Sequence, residues 1–547
     1  MRLPAKSLCV YVVAALFAAQ ITEASVQTVC TVTVNSADEK EAFRRYLPPD
    51  KYRFVELVER GRRDWLAQAC QTGIQCDVVV ISGHYDGGKE FFSEHVEAQE
   101  FLPVAELERA SCSDSCPALF SQVKEVYLFG CNTLNPVAQT SSSAEVVRSL
   151  ERSGLARPDA ELLARSLNAG HGASSRDRMR MVFKDVPAIY GFSAVAPLGP
   201  VAAATLSRYF QAAGTREVGS GRVNARMLGQ FAANSLVVAQ GMTDADPHAD
   251  VRRDVCQFVD DRISDAQRLA FIHRLLQGQM AEVRIFLDRI EEYAATLTNG
   301  DQEVPGVAEA LRGIAHDGAA RERYLDFARD ADQPAVRARM LELARTLGWL
   351  SLPQLRAEQV LMIDEMLARS TTDVADLDLA CTLNAQHDLD GLESPARDVA
   401  LVHAAIRGCL GSAEGRARTV EALFSPRDAE VRIAQVYLVH RPIADVGELR
   451  KLTAGVARMI GSDAQVRALQ ALGAHRLSDS ESLQTLTTLF PVAESLSVQT
   501  AIAGVLIRAD YDSIARPELV RTLREHRRKS LNGEDLIDAL IRRLQLP

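Results

Sequence analysis

Two apolar runs in the first half of the chain end in residues capable of covalent chemistry. Val79-Val-Ile-Ser-Gly-His84 ends in an imidazole and continues Tyr85-Asp86-Gly87-Gly88, while Val126-Tyr-Leu-Phe-Gly-Cys131 ends in a thiol. Runs that are apolar at successive positions read as strands buried on both faces of a parallel sheet. The carboxyl ends of such strands form the rim where an open α/β sheet binds ligands. If the two strands are neighbours, Cys131 and His84 meet at one pocket, as a nucleophile and a proton shuttle must. Each residue also has a plain structural reading: the cysteine as a small core residue or half of a disulfide, the histidine as a ring bonded to backbone.

Other candidates are weaker. His171-Gly172 is a rival base, but it follows a helical stretch instead of a strand. Arg176, Arg178 and Arg180 either approach the rim or form a solvated helix face. Asp244, Asp246, His248 and Asp250 lack the spacing and glycine of a calcium loop and read as a polar linker. The chain has no phosphate-binding glycine loop, no dinucleotide fingerprint and no zinc-type cysteine pairs with histidines, so no cofactor or metal is expected.

An apolar strand ending in His, with a second ending in Gly-Cys 47 residues later, resembles the caspase-like cysteine peptidases, which include separase, gingipains and CHAT domains. The resemblance covers roughly Val26 to Gln240, and its specific part is the two strand ends. It implies Cys131 as nucleophile and His84 as general acid/base. Backbone donors for the oxyanion would come from Cys131 and its neighbour Gly130 and from the turn at Gly87 and Gly88. That family usually places Gly directly after its His, whereas Tyr85 and Asp86 stand here. The implied partner is a protein or peptide substrate. The alternative is a secreted binding scaffold that keeps the peptidase shape without its activity.

The elements that must position these residues alternate. Strands are expected at 28–34, 52–58, 77–81, 125–129 and 188–192. Helices are expected at 36–47, 62–69, 117–123, 144–151, 158–169 and 201–213, the first opened by a Ser36-Ala-Asp-Glu39 capping box. The pattern predicts a three-layer α/β domain with a parallel sheet over residues 25–240, then a linker over 241–260. Beyond it strand signals nearly vanish, and residues 261–547 read as an all-α solenoid. Asp332, Asp428 and Asp463 each open an Ala/Leu-rich helix carrying Val-Arg early, the last two 35 residues apart, in the manner of HEAT-like repeats. Such a surface suits a protein partner.

Residues 1–24 have the layout of a cleaved signal peptide, with Arg2 and Lys6 before an apolar stretch from Leu8 to Ala19. No later stretch is long enough to span a membrane. Only 8 of the 62 basic residues are Lys, which points to a bacterial gene and hence to the periplasm or the exterior. A net charge of −10 without a basic stripe argues against nucleic acid. Beyond Cys9 nine cysteines remain, an odd number, so an oxidising compartment leaves at least one thiol unpaired within the chain. Short spacing makes Cys70–Cys76 and Cys112–Cys116 the expected local pairs.

Overall fold

The computed structural model describes residues 26–547 except 58–65, 86–89, 94–100, 114–115, 117, 138–146, 148–149, 152–154, 171–173, 214–216, 247–248, 299, 301–302, 391–399, 461–462, 511–515, 529–535 and 546–547. The expected signal peptide therefore lies outside the described residues. The chain divides into two units, Met1–Ala310 and Leu311–Pro547.

The first unit is built on a six-stranded sheet in the order β2-β1-β3-β7-β8-β9. Its strands are β1 (Gln27–Thr33), β2 (Tyr52–Glu56), β3 (Val78–Ser82), β7 (Glu125–Phe129), β8 (Ala188–Phe192) and β9 (Leu236–Ala239). All neighbours run parallel except β8 and β9. The three central strands β3, β7 and β8 are buried at every residue, as their apolar runs predict, with polar Ser82 and charged Glu125 buried at their ends. A separate antiparallel sheet joins β4 (His84–Tyr85), β5 (Glu90–Phe92) and β6 (Phe101–Pro103).

Helices cover both faces. Val78, Val80, Tyr127 and Tyr190 pack under α1 (Asp38–Tyr46), through Phe43, and a later helix, Gly199–Ala213, through Leu206 and Phe210. Val79, Ile81, Val126 and Leu128 pack on the other face against α2 (Ala67–Gln71) and α3 (Val104–Cys112). Chain order then gives α4 (Arg157–Gly170), α5 (Ser175–Val182), α6 (Gly199–Ala213) and α7 (Ala225–Gln230). Three more helices fall within this unit: α8 (Ala249–Val259), α9 (Asp265–Gln277) and α10 (Met280–Thr296). They are tied to the α/β part by Cys112–Cys256, by Arg252 donating to the carbonyls of Ser111 and Met181, and by Arg289 gripping Glu108.

Three local expectations are corrected. Ser36 and Glu39 do not form a capping box: Ala37 is the N-cap, Ser36 Oγ bonds the Asp38 carboxylate, and Glu39 is buried. The described part of 117–123 is turns, because the preceding chain is instead helical at α3. The local cysteine pairs are also wrong. The disulfides are Cys30–Cys76, Cys70–Cys116, Cys112–Cys256 and Cys381–Cys409, with Cα separations between 4.5 and 5.6 Å. Tertiary packing brings α2, α3 and α8 together, and each cysteine takes the partner its element faces. Most of the stretch expected as a helix at 144–151, and residues 62–65 of the one before it, lie outside the described residues.

The second unit is all helical. Helices Asp428–His440, Asp463–Gly473, Leu496–Leu506 and Leu536–Gln545 pack in one row, and Val446–Ala457, Ser480–Val492 and Arg516–His526 in another. Some hydrogen bonds recur from helix to helix along these rows. Asp445 and Asp479 cap successive helices of the second row by accepting from the backbone N–H three residues on. Gln465 and Gln499, both buried, each donate to a carbonyl nine residues back. Asp428 and Asp463 are the first residues of their helices, as expected, and Asp428 receives a two-pronged bond from Arg467 at 2.7 and 3.0 Å.

Candidate functional site

The sheet register sets the site. β3 and β7 are adjacent and parallel, and their last paired residues are Ser82 and Phe129. His84 and Cys131 each stand two residues beyond that pair, at matching positions past the carboxyl ends of neighbouring strands. The approach is close: a Cβ on Gly130 would lie 2.8 Å from the carbonyl oxygen of Gly83. Gly130, expected as an oxyanion neighbour, is thus the residue that lets the two strand ends meet.

Cys131 is half-buried, and it is the one free cysteine among the described residues. Its sulfur accepts the backbone N–H of Ala196 at 3.3 Å, in the loop between β8 and α6. The turn after it is held firmly. Asn132 adopts a left-handed φ of 58°, rare for a residue with a side chain, and its N–H donates to the carbonyl of Ala194 at 2.8 Å. Thr133 is fully buried and links the carbonyl of Gly130 to the N–H of Phe192. Gly191 on β8 makes room for this turn, since a Cβ there would lie 2.6 Å from Thr133 Oγ1.

His84 opens β4 and sits across from Phe92, their ring centroids 5.6 Å apart. Tyr85, where the resembled family has glycine, is buried with its ring 4.8 Å from that of Phe91. Gly87 and Gly88, with Asp86 and the rival His171, lie outside the described residues.

The arginines of α5 divide. Arg178 lies 3.6 Å from buried Glu108, and Arg180 binds Asp246 at 2.6 Å, so both are occupied away from the rim. Arg176 is the most exposed of the three, and its backbone N–H donates to the carbonyl of Asn135 in the turn that follows Cys131. Asp244 pairs with Lys184 at 2.7 Å, and Asp246 with Arg180, so the acidic segment docks on the α/β part; His248 is outside the described residues. Among the described residues no cluster of three or more metal-type ligands occurs.

Two features escaped the sequence reading. The rim beside Cys131 is apolar, with Val137, Val195, Leu198 and Val201 all more than half exposed. Glu39 is only 3% exposed, beside Ser82 on β3, and burial pushes its carboxyl up to about 7. A capping-box pattern gave the only signal for Glu39, and it pointed to the wrong role.

The helical unit has its own concavity, a groove of about 1010 Å³ lined by Ser480, Gln484, Thr487, Thr488, Glu518 and Arg521. Four disulfides fit a protein that folds in an oxidising compartment, and no described helix is long and apolar enough to cross a membrane. Compared with family models, curated proteins and solved structures, the chain matches none of them.

Proposed function

We propose that the first unit is an exported cysteine peptidase of the caspase-like kind, with Cys131 as nucleophile and His84 as general acid/base. One observation carries this reading: the only unpaired thiol among the described residues and an imidazole stand at matching positions past the ends of adjacent parallel strands. In this mechanism the Cys131 thiolate attacks the carbonyl carbon of a peptide bond. Backbone N–H groups at Cys131 and of Gly87 and Gly88 receive the oxyanion. His84 protonates the departing amine, leaving a thioester; it then takes a proton from water, which displaces the sulfur and releases the acid.

The second unit, in this reading, is a HEAT-like solenoid that holds a protein substrate or partner. Its recurring caps at Asp445 and Asp479 and its polar groove support that assignment.

A non-catalytic binding scaffold is favoured by one observation: the position after His84, glycine in the resembled family, is filled by a buried tyrosine. The two readings separate on one experiment. Purified protein is incubated with a mixed peptide library and the products sequenced, beside Cys131→Ala and His84→Ala. The peptidase reading requires cleavage that both substitutions abolish; binding without turnover, indifferent to Cys131→Ala, supports the scaffold.

A further inference from the structure

The small antiparallel sheet begins at the imidazole. His84 on β4 stands opposite Phe92 on β5, and Phe92 stands opposite Phe101 on β6. Residues directly opposite in register share a face, so His84, Phe92 and Phe101 form one row across the sheet. Their neighbours along the strands, Tyr85, Phe91 and Leu102, point the other way and are buried in the core beneath. The row itself does not enter that core: His84 and Phe92 are half-buried, and Phe101 is 41% exposed. An antiparallel sheet with one face on a core ordinarily turns polar residues outward on the other. One exposed phenylalanine would mean little. Here two phenylalanines extend a surface that starts at a candidate catalytic group, and the ring of Phe92 is centred 5.6 Å from that of His84.

The order of the main strands decides which half of a substrate meets this row. His84 follows β3, Cys131 follows β7, and Ala196, whose N–H meets the Cys131 sulfur, follows β8. β7 lies between β3 and β8, so the thiol stands between the imidazole on one side and the Ala196 loop on the other. In cysteine-peptidase chemistry the acyl half of the substrate stays bonded to the sulfur, and the departing amine must reach the imidazole. The residue carrying that amine therefore lies against His84, and its side chain meets the neighbour of that ring, Phe92. Adjacent strands are about 4.8 Å apart, which puts Phe101 about 10 Å from His84, and an extended peptide advances about 3.3 Å per residue. Phe101 is thus in reach of the second or third residue of the leaving half.

We propose that Phe92 and Phe101 determine specificity on the leaving side of the cleaved bond. Phe92 binds a large apolar side chain, aromatic or aliphatic, on the first residue after the cut, and Phe101 binds another on the second or third. The proposal rests on the Cys131–His84 reading and gives it a substrate class: polypeptides cut in front of an apolar segment.

The test uses the full chain with a mixed peptide library, the new N-termini being sequenced. Phe, Tyr, Leu and Ile should head those termini about tenfold more often than Ser, Asn or Asp, the discrimination one large apolar contact supplies. Phe101→Ser should flatten the preference at the second and third residues and keep it at the first; Phe101→Leu should restore it. On two peptides differing only in Phe or Ala after the cut, Phe92→Ala should lower the ratio of kcat/KM values about tenfold. New termini of unselected composition from the wild type overturn the proposal. So does a Phe92→Ala variant that slows both peptides alike, since its ring would then only prop the imidazole. A dimer seen in sedimentation and abolished by Phe101→Ser, with no change in the termini, would assign the row to a second copy and also overturn it. Should Phe92→Ala fail to fold, by circular dichroism, the wild-type termini and Phe101→Ser decide. The underlying dyad fails separately: the wild type would then cleave nothing, and its Cys131 would react with iodoacetamide no faster than glutathione does.

Discussion

The carbonyl oxygen of Gly83 lies 2.8 Å from the point a Cβ on Gly130 would occupy, and the Cβ of Tyr85 lies 2.9 Å from the same point. The ends of β3 and β7 are in contact at backbone level, one residue before His84 and Cys131. Adding a methyl at Gly130 must push these ends apart. Gly130→Ala is expected to cost about 1–3 kcal/mol, as overpacking does. It should also slow alkylation of Cys131 by about tenfold or more, since small displacements disrupt paired groups. Thermal melts and alkylation rates check both; a variant that melts and reacts like wild type would show that this approach is not constraining.

Mass spectrometry of unreduced peptides should find Cys30–Cys76, Cys70–Cys116, Cys112–Cys256 and Cys381–Cys409, with Cys131 alone alkylated. Cys112–Cys256 spans 144 residues and closes the longest loop. Replacing both of its cysteines with alanine is expected to cost about 2–5 kcal/mol. Recovery of a Cys70–Cys76 or Cys112–Cys116 peptide would refute the pairing.

Glu108 on α3 is 3% exposed and receives two bonds of 2.8 Å from Arg289 on α10. Burial would raise its carboxyl, but Arg289 and Arg178 override that and hold it below its ordinary 4.5. Arg289→Ala leaves a buried carboxylate short of its main partner and should cost about 3–5 kcal/mol. In the wild type the sign follows from the lowered value: the stabilisation is present above about pH 4.5 and is lost as pH falls through the folded value. The variant should therefore be worst relative to wild type at neutral pH, and the gap should narrow in acid. Denaturant melts at pH 7 and pH 3 measure it.

Glu39 runs the other way. Its carboxyl rises from 4.5 to about 7 on folding, so its contribution is fully present below pH 4.5 and fades as pH rises through 7. The shift corresponds to roughly 3 kcal/mol between the two limits. Glu39→Gln should match wild type in stability near pH 4 and exceed it near pH 8. Equal stabilities at pH 8 would mean the carboxyl titrates normally.

Much of the fold was legible because it is local. The apolar runs 78–81, 126–129 and 188–192 report strands buried on both faces, and those strands are β3, β7 and β8. The edge strand β9 and the small β4–β6 sheet were not legible: four and fewer residues give too short a period, and their stability comes from the partner they pair with. Glu39 shows the same limit at a single residue, since a Ser-x-x-Glu spacing describes a helix start in isolation and says nothing of a second helix closing over it.

The chain's own letters determined that β1, β2, β3, β7 and β8 are strands, that two of their ends carry a thiol and an imidazole, that the second half is helical, and that an odd cysteine is left over. Only the folded chain decided which strands are neighbours, which cysteines pair, and that Glu39 turns inward toward Ser82. The reason is physical. Periodicity records how one segment is solvated along its length, whereas pairing and burial depend on which distant segment arrives opposite it. That choice is made by contacts such as those between Gly83 and Gly130, or Cys112 and Cys256, which neither segment encodes alone.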